Sequence, residues 1–212
     1  MKHRKNLFSA IAKALGVLCF WGGVWCLLTF LIQNDFLFPS PIAVVKELVR
    51  LSLTGSFWLT AAISLLRVVA GILISLILGT LLGTLTSLSK LCDALLRPVI
   101  TAVKATPVAS FIILALLWFD RTLLPVFITA LIVVPIVWAN VTEGIASVDE
   151  GLRQVAKVYR FSAWKKLRRL YVPTVAPYFL AACRSSLGMA WKAGIAAEIL
   201  ATPNHAIGTE LY

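Results

Sequence analysis

The sequence predicts an all-α integral membrane protein, from its composition and from its long uncharged runs. Of its 212 residues 60% are hydrophobic and only 14% are charged, and the mean hydropathy is +0.92. A soluble domain carries about 45–50% apolar and about 25% charged residues, so an ordinary soluble enzyme is excluded. We expect two parts: residues 1–57, with one membrane helix and an external amphipathic helix, and residues 58–212, a transmembrane domain.

Five membrane helices are expected, because an α-helix needs about 20 mostly apolar residues to cross a bilayer. They cover residues 14–33, 58–89, 98–119, 122–142 and 174–201. Pro107 lies inside the third, and only Asp120 and Arg121 separate the third from the fourth, which predicts a tight helical hairpin. From Ile207 onward the sequence resembles the start of a sixth element.

A stripe of small residues runs along the second predicted span. Gly71, Ser75, Gly79 and Gly83 are spaced four apart and therefore share one helix face. In lipid, small residues allow two helix backbones to approach closely. The stripe predicts a tightly packed helix–helix contact.

The basic residues indicate the orientation in the membrane. The chain has 20 Lys and Arg against 9 Asp and Glu. With the N-terminus inside, 13 of the basic residues fall in the internal segments 1–13, 90–97 and 143–173, and only 3 fall in the external segments 34–57 and 120–121. Internal loops carry the excess of basic residues, so we expect a multi-pass protein with a cytoplasmic N-terminus that contacts anionic lipid rather than nucleic acid.

The external segment 34–57 predicts a short helix. Ser40 followed by Pro41 is a helix-start pattern, with a capping residue and then proline in the first turn. Apolar residues then recur at helical spacing, which is typical of a helix lying on the outer interface.

Motifs for catalysis and nucleotide binding are missing from the sequence. It contains no G-x-x-x-x-G-K-[ST], no H-E-x-x-H and no G-x-S-x-G. The four cysteines form no C-x-x-C pair. We therefore expect a non-enzymatic chain that binds no cofactor or metal of its own.

The internal segment 143–173 is long enough to carry structure and function. Apolar Leu152, Val155, Ala156 and Tyr159 lie on one face of a first amphipathic helix. A second helix would begin after Ser162 as N-cap, present Trp164 on its apolar face, and end at Pro173. Two interpretations remain open from the residues alone: helices lying in the lipid interface, or an element that docks on a soluble partner.

The spacing of this segment resembles a known cytoplasmic signature. The run is Gln154-Val155-Ala156, then Arg160, then Leu170-Tyr171-Val172-Pro173. It is similar to E-A-A, three residues, G, nine residues, I-x-L-P, found in permease subunits of binding-protein-dependent ABC importers. Further segments resemble the nitrate/sulfonate/taurine-type branch of that family, in colinear order: 38–41, 64–68, 104–107, 117–119, 144–149 and 188–198.

The resemblance implies a MetI-like permease core whose last helix is missing or truncated, in a bacterial inner membrane. It implies ABC ATPase subunits that carry ATP and Mg²⁺, a periplasmic or lipid-anchored substrate-binding protein, and a second permease copy as a homodimer. The implied ATPase-coupling residues are Leu152, Gln154, Val155, Ala156, Tyr159, Arg160, Ser162 and Trp164. Gln154 replaces the acidic residue of the signature and Arg160 replaces its glycine, so we expect Arg160 either to adopt an ordinary turn conformation or to reshape the bend.

Four cations lie at or inside the predicted spans, Arg67, Lys104, Arg184 and Lys192, and the last three are the candidates for a pathway that accepts an anion. Charged residues there are costly and usually face protein, water or the interface. Snorkelling to the interface is the alternative. A direct pair between Arg184 and Glu198 is disfavoured, because 14 residues of helix span about 21 Å. Two other functions stay open: a degenerate permease-like scaffold, and a secondary transporter that needs no ATPase.

Overall fold

The computed structural model describes residues 2–34 and 37–210, with side chains described from residue 13 onward. Within these ranges the chain is built from α-helices and no strand is present. It divides into two compact units, Met1–Trp58 and Leu59–Tyr212. The side chains of Lys2, Arg4 and Lys5, which contribute to the predicted internal charge, lie outside the described part.

The first unit contains α1 (Lys2–Ile32) and α2 (Pro41–Ser52). The start predicted for α2 is confirmed, since Ser40 Oγ accepts a hydrogen bond from the Ala43 amide at 3.2 Å. On its exposed side Arg50 pairs with Glu47. The hydrogen bond from Arg50 lowers the pKa of the Glu47 carboxyl below its usual value.

The second unit takes up α3, whose first residues lie in the first unit, and all later helices. These are α3 (Gly55–Leu88), α4 (Lys90–Ala105), α5 (Val108–Ala115), α6 (Leu124–Ala146), α7 (Glu150–Val158), α8 (Ala163–Lys166), α9 (Val172–Ala201) and α10 (Ile207–Glu210). A π-helical turn, Leu167–Tyr171, joins α8 directly to α9.

Three of the described helices are long and apolar enough to cross a membrane: Lys13–Ile32, Gly55–Leu88 and Leu124–Ala146. A fourth crossing results if the bent pair α4 and α5 counts as one. The helix α9 has 30 residues but carries Arg184, Lys192 and Glu198 and does not meet the same test. Helices cover most of each of the five predicted spans, and three or four crossings meet the length and composition test.

The prediction of one continuous helix over 98–119 is wrong. The chain bends by 102° between α4 and α5, at Thr106 and Pro107. Thr106 is extended, with φ −85° and ψ 135°, because a residue before proline is driven out of the helical region. The eight-residue α5 then packs against α6 and α9.

The end predicted at Pro173 is also wrong. Pro173 lies in the first turn of α9, where its missing N–H is tolerated. The turn before it is widened, since the Val172 amide donates to the carbonyl of Leu167, five residues back. The helix therefore continues through the proline, and α8, the π-helical turn and α9 form one uninterrupted rod.

The core of the second unit forms around α6. Its residues Val133, Val137 and Val141 pack with Val68 of α3 and Ala190 of α9, all buried. The indole of Trp138 donates to Thr86 Oγ1 at 3.0 Å, which satisfies both groups inside the α3–α6 contact. The unit is thus a bundle with α3 and α9 against a central α6.

Candidate functional site

The segment between α6 and α9 folds as a helical elbow, residues 149–172. Asp149 caps α7 by accepting from the Leu152 amide at 2.9 Å. Ser162 caps α8 by accepting from the Lys165 amide at 3.3 Å, as the sequence predicts. The two short helices with a turn at 159–162 are therefore confirmed.

The elbow has a small core of its own. Val148, Ala156 and Leu170 are buried together, with Phe161 packed against them. Arg153 Nη2 donates to the Ile145 carbonyl at the end of α6, at 2.9 Å. The bond to Ile145 fixes the elbow to α6, and the π-helical turn continues the elbow into α9 without a loop.

Arg160 adopts neither of the two conformations expected for it. Its φ is +47°, in the left-handed region that favours glycine. The Phe161 amide donates to the Ala156 carbonyl at 2.9 Å, a bond that closes the end of α7 across this residue. Arg160 therefore adopts the left-handed turn conformation that suits the glycine of the signature, and this conformation costs arginine free energy.

The outer surface of the elbow is apolar and basic. Leu152 is 53% exposed, Val155 47%, Tyr159 72% and Trp164 69%. Gln154 and Arg160 are exposed beside them. Of the other implied coupling residues, Ser162 is exposed as the helix cap, whereas Ala156 is 3% exposed and lies in the core of the elbow instead of on its surface.

The small-residue stripe lies where α3 meets α6. A Cβ atom at Gly71 would lie 2.6 Å from the Thr129 Cβ, and one at Gly79 would lie 2.6 Å from the Val137 Cβ. At Gly83 the corresponding distance, to the Val141 Cβ, is 3.0 Å. Ser75 is fully buried, and its hydroxyl donates to the Gly71 carbonyl at 2.6 Å. The two backbones approach so closely that a side chain larger than hydrogen does not fit at Gly71 or Gly79.

The three predicted pathway cations are exposed on the single chain. Lys104 lies near the end of α4, and Arg184 and Lys192 lie on α9 away from the α6 contact. None of the three forms an ion pair within the described residues. The structure does not gather them into a common cavity.

A buried polar cluster that the sequence does not predict lies at the end of the bundle opposite the elbow. Arg67 Nη1 of α3 lies 3.2 Å from Glu198 Oε1 of α9. Ser64 Oγ donates to Glu198 Oε2 at 2.9 Å, and Glu198 is fully buried. Both Arg67 and Glu198 stand out in the sequence as charges in apolar surroundings, but nothing in the sequence pairs them.

This cluster also fixes the segment that follows α9. Arg67 donates to the carbonyls of Asn204 at 3.1 Å and His205 at 3.2 Å. The Gly208 amide donates to Glu198 Oε2 at 3.2 Å. A Cβ atom at Gly208 would lie 2.5 Å from the Glu198 Cβ, so the segment lies directly on the carboxylate. Together these bonds hold α3, α9 and residues 203–208 against one another.

Comparison with known proteins identifies the family of this bundle. Residues 71–211 match the family model of the binding-protein-dependent transport system inner membrane component. The chain belongs to this family. The match includes the stripe glycines, the elbow and Glu198, but not Arg67.

Relatives of this transport-component family are permease proteins. The bicarbonate transport system permease protein CmpB of Synechococcus elongatus is 34% identical over 69% of this chain and 52% of its own length. The aliphatic sulfonates transport permease protein SsuC of Bacillus subtilis is 29% identical over 76% of this chain and 59% of its own. The nitrate import permease protein NrtB of Synechococcus elongatus is 29% identical over 84% of this chain and 67% of its own. The chain spans about half the length of the bicarbonate relative that it matches.

The fold also matches a solved structure. An amino acid ABC transporter crystallised with histidines aligns with a TM-score of 0.57 over 80% of this chain and 79% of that one, at 18% sequence identity. This likeness shows the fold of the family. The all-helical MetI-like permease architecture implied by the resemblance is thus confirmed.

Proposed function

We propose that this chain is the transmembrane permease subunit of an ATP-driven importer for a small anion, and that ATPase subunits drive it through the elbow. The observation that carries the proposal is the elbow itself. Its apolar and basic side chains are exposed, while the Arg153 bond to Ile145 ties it to α6 and the π-helical turn joins it to α9. A rigid element with an unsatisfied outer face is suited to docking on a partner.

The nucleotide chemistry belongs to the partner in this proposal. The chain has no P-loop motif, so ATP and Mg²⁺ would be held by the ATPase subunits. Lys157 and Arg160 are exposed beside the aromatic Tyr159. The groove that receives the elbow should therefore be apolar at its floor and acidic at its rim.

The mechanism follows from how the elbow is connected. Closure of the ATPase dimer on ATP would displace the elbow, and α9 would move with it because no loop intervenes. The bundle α3–α6–α9 would then tilt as a rigid body, switching the pathway between inward-open and outward-open states. This is alternating access by rigid-body motion of a bistable assembly.

The substrate class is inferred from the relatives and from three exposed cations. The relatives are named for bicarbonate, sulfonates and nitrate, all of which are small anions. Lys104, Arg184 and Lys192 would face the pathway formed with a second copy of this chain, to which a substrate-binding protein delivers the anion. Thirteen of the basic residues fall on the elbow side of the predicted topology, which supports a cytoplasmic elbow and N-terminus in a bacterial inner membrane.

The docking surface can be tested by charge substitution on three exposed positions. The variant Leu152→Glu, Tyr159→Glu and Trp164→Glu should insert in the membrane but lose the co-purifying ATPase, identified by mass spectrometry. The control is Leu91→Glu at the start of α4, which is 70% exposed but lies outside the elbow. A wild-type yield of ATPase with the triple variant would refute the docking role.

The transport role needs a separate measurement. The co-purified complex in liposomes should take up radiolabelled bicarbonate, nitrate or an alkanesulfonate only when ATP and binding protein are present. Lys192→Gln should raise the KM for the anion, whereas Lys46→Gln on the exposed α2 should not. Uptake without ATP would favour a secondary transporter, and ATPase binding without uptake would favour a scaffold.

A further inference from the structure

An apolar groove lies beside the elbow, at the same end of the bundle. Its volume is about 560 Å³, which is within the range of ligand pockets in proteins. It runs between the last turns of α3, the end of α6 and the beginning of α9. Its walls include Thr84, Leu88, Ile145, Val175 and Phe179.

The two threonines in the α3 wall do not make the groove polar. The Thr80 hydroxyl donates to the Leu76 carbonyl at 2.6 Å, and the Thr84 hydroxyl donates to the Thr80 carbonyl at 2.8 Å. Both hydroxyl protons are therefore used within the helix. The wall presents methyl groups, so the groove suits a hydrocarbon chain.

One cation lines the groove. Lys166 is the single charged residue of its lining and is half-buried. No carboxylate of the described residues pairs with it. The neighbouring Lys165 does not line the groove, and its ammonium lies over the Phe161 ring, 3.9 Å from the centroid.

A second groove of the same unit provides a comparison. It has a volume of about 470 Å³, between α3, α4 and α6, and is lined by apolar residues such as Ile74, Val99 and Phe127, with no charged residue. Hydrocarbon fits both grooves, but only the first combines apolar walls with an unpaired cation. That combination complements a molecule with one anionic head and an apolar tail.

We propose that the first groove is a binding site for an anionic phospholipid, with an acyl chain between α3 and α9 and its phosphate on Lys166. The occupied groove would brace the elbow against the bundle, since α8, the π-helical turn and α9 form one of its walls. The lining of this site includes none of the residues proposed to dock the ATPase or to contact the transported anion.

Titration of lipid into the purified full-length chain in detergent tests the site. Phosphatidylglycerol should raise the Tm, and phosphatidylcholine should not. Lys166→Gln should raise the half-saturating phosphatidylglycerol concentration about five-fold, the effect of one lysine at an anionic headgroup. Lys166→Arg should restore it, and Lys165→Gln, the matched control, should leave it unchanged.

A second variant tests the acyl-chain part of the site. Ala176 is exposed and lines the groove, so Ala176→Phe should fill the space and abolish the response to phosphatidylglycerol. Three results would overturn the proposal: equal stabilisation by phosphatidylcholine, an equal loss in Lys165→Gln, or a full response in Ala176→Phe. A disulfide between two copies of an Ala176→Cys variant in native membranes would also overturn it, because a protein helix would then occupy the groove.

Discussion

Replacing Gly79 by alanine should force α3 away from α6. The added Cβ would lie 2.6 Å from the Val137 Cβ and 3.0 Å from the Val134 carbonyl oxygen. Carbon atoms are in optimal contact at about 3.5–4.0 Å, so the helices must separate locally by about 1 Å. The carbonyl belongs to the α6 backbone and cannot rotate out of the way.

The expected cost follows from two opposing terms. Overpacking of a close contact costs about 1–3 kcal/mol, and replacing glycine by alanine inside a helix returns up to about 1 kcal/mol. The fixed Val134 carbonyl places the overpacking cost in the upper half of its range, so the net loss of about 1–2 kcal/mol lowers the Tm of a chain of this size by about 2–8 °C. The matched control is Gly188→Ala in α9, where nothing lies within 4 Å of the new Cβ and only the favourable term applies.

Thermal unfolding of the purified variants in detergent measures the difference. Gly79→Ala should have a lower Tm than the wild type, and Gly188→Ala an equal or higher one. Gly83→Ala should fall between them, because its nearest contact is 3.0 Å. Equal Tm values for Gly79→Ala and Gly188→Ala would show that backbone proximity does not hold α3 against α6.

Three further perturbations have defined outcomes. Arg160→Gly should raise the Tm, because a left-handed φ of +47° costs a non-glycine residue about 1 kcal/mol; a lower Tm would mean that the arginine side chain stabilises the elbow. Glu198→Met should destabilise by about 3–5 kcal/mol in a denaturant titration, since it leaves Arg67 buried without its partner, and the double variant with Arg67→Met should recover part of that loss; no recovery would contradict the pairing. Trp138→Phe should cost about 1 kcal/mol by removing the donor to Thr86, and an unchanged Tm would show that the hydrogen bond adds no net stability.

Local rules account for the parts of this structure that the sequence predicts well. The start of α2 at Ser40 and the second elbow helix after Ser162 each depend on one side chain and its neighbours. The small-residue stripe is likewise visible from its four-residue spacing. Pro107 also acts locally, because the residue before a proline is pushed out of the helical region, and the predicted continuous helix over 98–119 therefore bends there.

Long-range contacts account for what the sequence does not predict. Arg67 and Glu198 are 131 residues apart, and no periodicity joins α3 to the end of α9. Arg160 is not predicted for a different reason. Its left-handed backbone conformation follows from the packing of Ala156 and Phe161 and not from the conformational preference of arginine. Pro173 is not predicted correctly for a third reason. A π-helical turn precedes it, and the helix continues through a proline, which usually ends a helix.

The absence of a loop between the elbow and α9 has a mechanical consequence. From Leu170 to Glu198 is 28 residues, a lever arm of about 42 Å, so each degree of tilt moves the far end by about 0.7 Å. The bond between Arg67 and Glu198 is already 3.2 Å long and would be lost beyond about 3.5 Å. A pivot of α9 alone by several degrees would therefore pull Glu198 away from Arg67. A larger movement that keeps this bond therefore requires α3 and α9 to move together.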